Sequence, residues 1–215
     1  QAVNERTKLI FLPSPNNPTG TANTEEEIHT FVRSLPQHVI FCFDEAYAEY
    51  LDSPPDLRPL IEEGHKVICL RTFSKIHGLA ALRIGYGYGA KEMIDLLQRA
   101  RQPFNVNAIA QAAALGALQD DHWVTQCRKR NTDGLEQLAN GLKALDIEYL
   151  PSQANFILSK PGDGRGLFTE LQKMGIITRA LGPSLAPYLR LSVGTEEENH
   201  RLLTALEKIR TIFGA

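Results

Sequence analysis

Three short apolar runs, each closing on a polar motif, set the tightest limit on what this chain can fold into. KLIFL (Lys8 to Leu12), HVIFCFD (His38 to Asp44) and KVICLRT (Lys66 to Thr72) are rich in β-branched and aromatic residues and apolar on both faces. Runs of that length and pattern read as strands buried under helices on both sides. Between the first two lies TEEEIHTFVRSL. There Thr24 and Glu27 have capping-box spacing, and Ile28, Phe31, Val32 and Leu35 recur at helical intervals. Strand, helix, strand, connection, strand predicts a parallel sheet with right-handed crossovers. RIGYGYG (Arg83 to Gly89) is a fourth strand candidate, weakened by its glycines.

The pattern changes from Lys91 onward. KEMIDLLQRAR carries an apolar stripe. NAIAQAAALGAL is apolar almost all round, which predicts a helix that is buried or at an interface. A polar helical stretch runs from about Asp120 to Leu145, with Trp123 as a helix anchor, and short strand candidates follow in IEYL, NFILS, GIITR and YLRLSV. The last helix opens on a second capping box, Thr195 with Glu198. It presents Leu202, Leu203, Leu206, Ile209, Ile212 and Phe213 on one side. The expected fold class is α/β: a mainly parallel sheet sandwiched by helices over residues 1–124, and a smaller C-terminal α+β domain over residues 125–215.

Composition narrows the function classes. The 215 residues carry 23 basic and 25 acidic side chains, with no long basic run, which argues against nucleic acid and anionic membrane as partners. No run of 18 apolar residues occurs, so no membrane span is expected. The opening QAVNERTKLIF has no charged region followed by an apolar one, so it does not read as a signal peptide. Cys42, Cys69 and Cys127 lack CxxC spacing and read as reduced thiols in a cytoplasmic protein; Cys42 and Cys69 are read as packing residues. The six histidines show no metal-ligand spacing, so no metal is expected; His77 alone lies beside a motif of interest. Gly85, Gly87 and Gly89 lack the GxGxxG spacing of a dinucleotide site.

Chemistry concentrates in four motifs. SPNNPTG follows the first strand, DEAYAEY ends the second, TFSKIHGLAALR follows the third, and YLRLSVGT lies near the C terminus. Ligand sites in open parallel sheets form at the carboxyl ends of strands. Lys75 sits in such a turn, where a lysine whose charge is disfavoured forms Schiff bases; taken alone, it is more simply a solvated side chain. Asp44 at the end of an apolar run suits a protonated heterocycle nitrogen, or equally a helix N-cap. Thr72, Ser74 and Arg83 offer two hydroxyls and a guanidinium, donors that suit a phosphate dianion; taken singly they read as a hydrogen-bonded turn and a surface arginine.

Together the four motifs resemble the class I/II aminotransferases of fold type I, which use pyridoxal 5′-phosphate (PLP). DEAYAEY, FSKIHGLAALRIGYG and RQPFNVNAIAQ are most similar to the histidinol-phosphate aminotransferases within that family. The resemblance runs over essentially the whole chain. It implies that Lys75 joins the cofactor aldehyde and moves the proton, and that Asp44 keeps the pyridine nitrogen protonated. It implies that Asn17 and Tyr47 bond the ring oxygen, across a cis Asn17–Pro18 bond, and that Thr72, Ser74 and Arg83 bind the cofactor phosphate. Arg190 matches the arginine that grips the substrate anion, Arg179 a second arginine near the substrate phosphate, and Asn155 falls near the substrate side. Asn155 reads equally as a turn or strand-edge residue. The implied reaction moves the amino group of L-histidinol phosphate to 2-oxoglutarate, in a homodimer when complete.

The resemblance starts part-way into the family pattern. The family's earlier segment holds a phosphate-binding glycine loop, the aromatic residue on the ring and a tyrosine for the partner subunit's site. The chain is therefore expected to be N-terminally truncated, to leave the strands at Lys8 to Leu12 and Arg83 to Gly89 as edges, and to bind PLP poorly by itself. Two alternatives stand beside this reading. One keeps the scaffold but acts on aromatic amino acids or decarboxylates threonine phosphate. The other is a non-catalytic module that dimerises or complements another polypeptide.

Overall fold

A computed structural model describes residues 2–213, with side chains to residue 209, so the Ile212 and Phe213 side chains lie outside the described ones. The chain forms two compact units. One takes in the chain up to Pro15 and Ala22–Thr125; the other takes in Asn16–Thr21 and the chain from Gln126 on.

The first unit is built on strands β1 (Leu9–Pro13), β2 (Ile40–Asp44), β3 (Val67–Thr72) and β4 (Gly85–Gly89), in that order across one sheet. The first three are parallel, with Pro13 opposite Asp44 and Asp44 opposite Leu70. β4 runs antiparallel to β3, pairing Gly85 with Thr72. The glycines that weaken the strand pattern are what this pairing requires. A Cβ on Gly85 would stand 2.6 Å from the Arg71 carbonyl oxygen, and one on Gly89 at 2.6 Å from that of Val67. β1 and β4 are the two edges, as expected.

Helix α1 (Glu25–Arg33) is set by the expected capping box. Thr24 Oγ1 accepts from the Glu27 N–H at 3.2 Å, and Glu27 accepts from the Thr24 N–H at 2.8 Å. Its Ile28 and Val32, with Leu57 and Leu60 at α2 (Arg58–Glu62), cover Phe41, Phe43, Val67 and Cys69 of the sheet. The expectation that all three strands are covered on both faces fails at β1. Its Ile10 and Leu12 pack on the core, but Leu9 and Phe11 point the other way, and Phe11 is 65% exposed. An edge strand has fewer neighbours to bury its second face.

Asp56, just before α2, ties the two helices. Its carbonyl accepts from His29 Nε2 at 2.8 Å, and its carboxylate accepts from Arg58 Nε and Nη2 at 2.8 and 2.7 Å. Those hydrogen bonds from Arg58 hold the Asp56 carboxyl down at about 2. A depressed folded-state value contributes stability that is full above the unfolded value and is lost as pH falls toward the folded one. An acid titration of Tm should therefore show wild type losing ground between about pH 4 and pH 2, and Asp56→Asn losing less there.

Helices α3 (Lys91–Ala100) and α4 (Ala108–Ala117) complete the first unit, which also takes in the start of α5 (Asp121–Ala144). Of the two expectations for α4, buried or at an interface, burial within this chain fails: Ile109 is 74% and Leu115 65% exposed. Only Ala110 and Ala114, four apart on one narrow stripe, face inward. No helix among the described residues is long and apolar enough to cross a membrane.

The second unit holds an antiparallel sheet of β5 (Glu148–Leu150), β6 (Phe156–Lys160), β7 (Arg179–Ala180) and β8 (Leu189–Ser192), ordered β5-β6-β8-β7. Helices α5, α6 (Gly164–Lys173) and α7 (Glu196–Phe213) supply the other half of its core, through Leu138, Leu171 and Leu206 among others. The second capping box forms as expected, with the Thr195 N–H donating to Glu198 at 2.8 Å and the Glu198 N–H to Thr195 Oγ1 at 3.2 Å.

Candidate functional site

The candidate residues of the first unit gather where β2 and β3 end. After Thr72 the chain folds back on itself. The Gly78 N–H donates to the Lys75 carbonyl at 2.9 Å, the Leu79 N–H to the Phe73 carbonyl at 2.9 Å, and the Phe73 N–H to the Ile84 carbonyl at 3.2 Å. Gly78 takes a φ of 72°, which glycine adopts without a steric penalty. Arg83 takes a left-handed φ of 52° without being glycine, a conformation that costs about 1–3 kcal/mol and clusters at functional sites. From there its Nη1 donates to the Ala80 carbonyl at 2.9 Å and to Ser74 Oγ at 3.3 Å. Thr72 Oγ1 accepts from the Ser74 N–H at 3.1 Å. Thr72, Ser74 and Arg83 are thus one contiguous group of donors.

Lys75 stands within this turn, half-buried, with Nζ 5.2 Å from the centre of the buried Tyr47 ring. It has no carboxylate partner among the described residues. That is a cation held against an aromatic face rather than neutralised. The Ile76 carbonyl next to it accepts from Trp123 Nε1 at 2.8 Å, so this tryptophan braces the turn as well as anchoring its helix. Asp44 closes β2. Its Oδ1 accepts from the Ala46 N–H at 3.0 Å, and its other oxygen has no hydrogen-bond partner among the described residues.

His77 lies with its ring 5.1 Å from Phe73, and its Nδ1 is buried without a hydrogen-bond partner among the described residues. Burial, then the Arg71 charge, lower its pKa and favour the neutral ring. Cys42 and Cys69 are buried and free, and burial pushes the Cys69 thiol up to about 12. No cluster of three or more His, Cys, Asp or Glu suited to a metal occurs among the described residues.

The second unit holds a separate group. Arg190 on β8 is directly opposite Arg179 on β7. Like charges facing across a strand pair repel, and neither guanidinium has a carboxylate partner among the described residues. Arg190 Nη1 donates to Asn17 Oδ1 at 2.6 Å, its guanidinium lies 4.8 Å from the Phe156 ring centre, and its Nε is buried without a hydrogen-bond partner among the described residues. Two unneutralised arginines side by side suit a doubly oxygenated anion. The Asn17–Pro18 bond is cis, as expected, and so is Ser14–Pro15. Asn155 precedes β6; its carbonyl accepts from the Val193 N–H at 2.9 Å, while its side chain has no hydrogen-bond partner among the described residues.

Gly20 explains the last letter of NPTG. Its φ is 73°, and a Cβ there would stand 2.1 Å from Ser152 Oγ and 3.1 Å from Ser152 Cα. The Gln153 N–H donates to its carbonyl at 2.8 Å. Gly20→Ala should cost about 2–3 kcal/mol, from left-handed strain plus overpacking. Urea unfolding measures it, and adding Ser152→Gly should recover the overpacking part.

The aminotransferase class I and II family matches residues 1–206. The chain belongs to that family. As an aminotransferase chain it is 41% identical over 209 residues to histidinol-phosphate aminotransferase of Akkermansia muciniphila, covering 97% of this chain and 58% of that protein. It is 44% identical over 211 residues to histidinol-phosphate aminotransferase 1 of Thiobacillus denitrificans, covering 97% and 55%. The crystal structure of histidinol-phosphate aminotransferase from Sinorhizobium meliloti in complex with pyridoxal 5′-phosphate superposes with a TM-score of 0.88 at 30% identity, covering 95% of this chain and 58% of that one. The chain thus spans about three fifths of the length of these aminotransferases.

Motif reading missed one element of this aminotransferase chain. Glu45, inside DEAY, is 0% exposed. Its carboxylate accepts from Arg71 Nη2 at 3.1 Å, Arg71 Nε at 3.3 Å and the Tyr88 hydroxyl at 2.8 Å. Arg71 Nη1 also lies 3.6 Å from Glu49. Burial works to lower the Arg71 pKa, but the Glu45 hydrogen bond and charge, then Glu49, outweigh it and raise it. Burial chiefly, then Cys69 and Glu45, raise that of Tyr88, which keeps its hydroxyl protonated as a donor. The one available signal was parity: Glu45 continues the inward row of Phe41 and Phe43.

Proposed function

We propose that the full-length protein is a PLP-dependent transaminase that moves the amino group of L-histidinol phosphate to 2-oxoglutarate, acting in the cytoplasm as a homodimer. The observation that carries the reading is a lysine amine without a carboxylate partner among the described residues, over the Tyr47 ring, in the same turn as the Thr72, Ser74 and Arg83 donors. The residues fit the cofactor by their chemistry: a primary amine for an aldehyde, hydroxyl and guanidinium donors for a phosphate, and a carboxylate with an open oxygen for a ring nitrogen. When bound, PLP supplies the aldehyde and the protonated ring that draws electrons from the substrate Cα.

The chain's own residues then have distinct tasks. Thr72 and Ser74 donate their hydroxyl protons to the phosphate, and Arg83, already aimed at Ser74 Oγ, adds charge-assisted bonds. Asp44 accepts a proton-bearing ring nitrogen on its open oxygen. Tyr47 bonds the ring oxygen through its hydroxyl, and Asn17 through Nδ2, its Oδ1 being occupied by Arg190. Lys75 Nζ takes the proton from the amino donor's Cα. Arg190 binds the anion common to donor and acceptor, Arg179 binds the donor phosphate, and Asn155 lies on the substrate side.

The test is covalent labelling of the full-length protein. Borohydride reduction with PLP, followed by peptide mass spectrometry, should place the pyridoxyl mass on Lys75; labelling spread over exposed lysines overturns the reading. Glutamate formation from 2-oxoglutarate should then favour L-histidinol phosphate over phenylalanine and tyrosine. Carbon dioxide release from threonine phosphate would assign a decarboxylase instead.

A further inference from the structure

Asp44 and Glu45 are adjacent in sequence but serve opposite faces of the sheet. Successive side chains of a strand alternate. Asp44 lies opposite Leu70 in the parallel pair, so Glu45 and Arg71, one step on, share the other face. That face is the inward row of Phe41, Phe43, Val67 and Cys69, and Tyr88 joins it opposite Cys69. One carboxylate therefore ties β2, β3 and β4 together at the end where the site lies.

The same residue pins the backbone. The Glu45 N–H donates to the Leu70 carbonyl at 2.9 Å, extending the β2–β3 ladder past Asp44, and its carbonyl accepts from the Ala48 N–H at 3.0 Å. The Asp44 backbone is held on its other side by the Ser14 N–H, which donates to its carbonyl at 3.1 Å, but its side chain has only the local bond from the Ala46 N–H. A buried ion pair is a weak source of stability, since apolar groups of equal volume often hold a core as well. What a bidentate pair adds is direction.

We infer that Glu45, through its buried pairing with Arg71 and Tyr88, is a positioning residue for Asp44, fixing the angle at which that carboxylate meets the cofactor's ring nitrogen. The role of Asp44 rests on the function proposed above; the pinning does not. The decisive variant is the charge-free pair Glu45→Met with Arg71→Met in the full-length protein, assayed with PLP and with 1-deaza-PLP, which has no ring nitrogen. The variant should bind PLP about tenfold more weakly than wild type and 1-deaza-PLP equally well. Equal losses for both cofactors, or no loss for PLP, overturn the inference. If the pair fails to fold, Tyr88→Phe removes only the hydroxyl bond, and a two- to threefold loss confined to PLP is expected. If wild type binds neither cofactor, the function proposed above fails. Amide hydrogen exchange of the protein without cofactor then decides the pinning: exchange at Ala46 and Ala48 should quicken about tenfold in the double or Tyr88 variant, and unchanged exchange sinks it.

Discussion

The Lys75→Ala variant of the full-length protein should keep its fold and lose about 10⁴-fold in transamination rate. The two halves of that expectation have separate grounds. Lys75 has no ion pair or hydrogen bond from its amine among the described residues, and its removal forfeits only the contact with the Tyr47 ring, so stability should move by about 1 kcal/mol at most. In the proposed reaction its amine is also the group on which both the covalent attachment and the Cα proton transfer depend, and neither has a substitute in the Thr72, Ser74 and Arg83 turn. Circular dichroism and thermal melting check the first half, steady-state glutamate formation the second. A variant that retains more than a tenth of the rate would return Lys75 to the class of solvated loop lysines.

The largest expected loss of stability is at Phe43→Ala. Phe43 is fully buried, stacks on Phe41 with ring centres 6.0 Å apart, and sits at the middle of the first unit's core. Deleting a buried phenylalanine side chain costs about 3–5 kcal/mol, transfer and cavity together. Against the 5–15 kcal/mol typical of whole domains, that puts the unit near its limit. Urea denaturation should show a lower midpoint with an unchanged slope. A loss below about 1 kcal/mol would mean that the site collapses to fill the cavity, contrary to its close packing.

What could be read from the residues was what depends on near neighbours. Thr24 with Glu27 and Thr195 with Glu198 marked their helix starts because capping is decided within one turn. The runs ending at Asp44 and Thr72 declared themselves as strands because their central residues are apolar whichever way they face. The grouping of Thr72, Ser74 and Arg83 was legible because the nine residues that link them form a single turn and return. What stayed hidden depends on distant partners. Gly85 and Gly89 look like strand breakers until the carbonyls of Arg71 and Val67 are placed against them. The apolar stretch of α4 suggests burial, yet only a two-alanine stripe finds a partner within the chain. Glu45 was hidden by its motif, where attention falls on Asp44 and Tyr47, and its partners lie 26 and 43 residues away. Arg179 and Arg190 were each identifiable singly, but their cross-strand pairing is a matter of register, which sequence spacing does not reveal.

The opposite facing of Asp44 and Glu45 also bears on how the gene can vary. Deleting or inserting one residue within Ile40–Asp44 would turn the strand over, sending the Asp44 carboxylate into the interior and an aromatic ring out of it. Length changes should therefore be purged from this stretch far more strictly than amino-acid replacements. Drift in residue count is tolerable instead between Tyr50 and Asp56, where no strand keeps step with a neighbour.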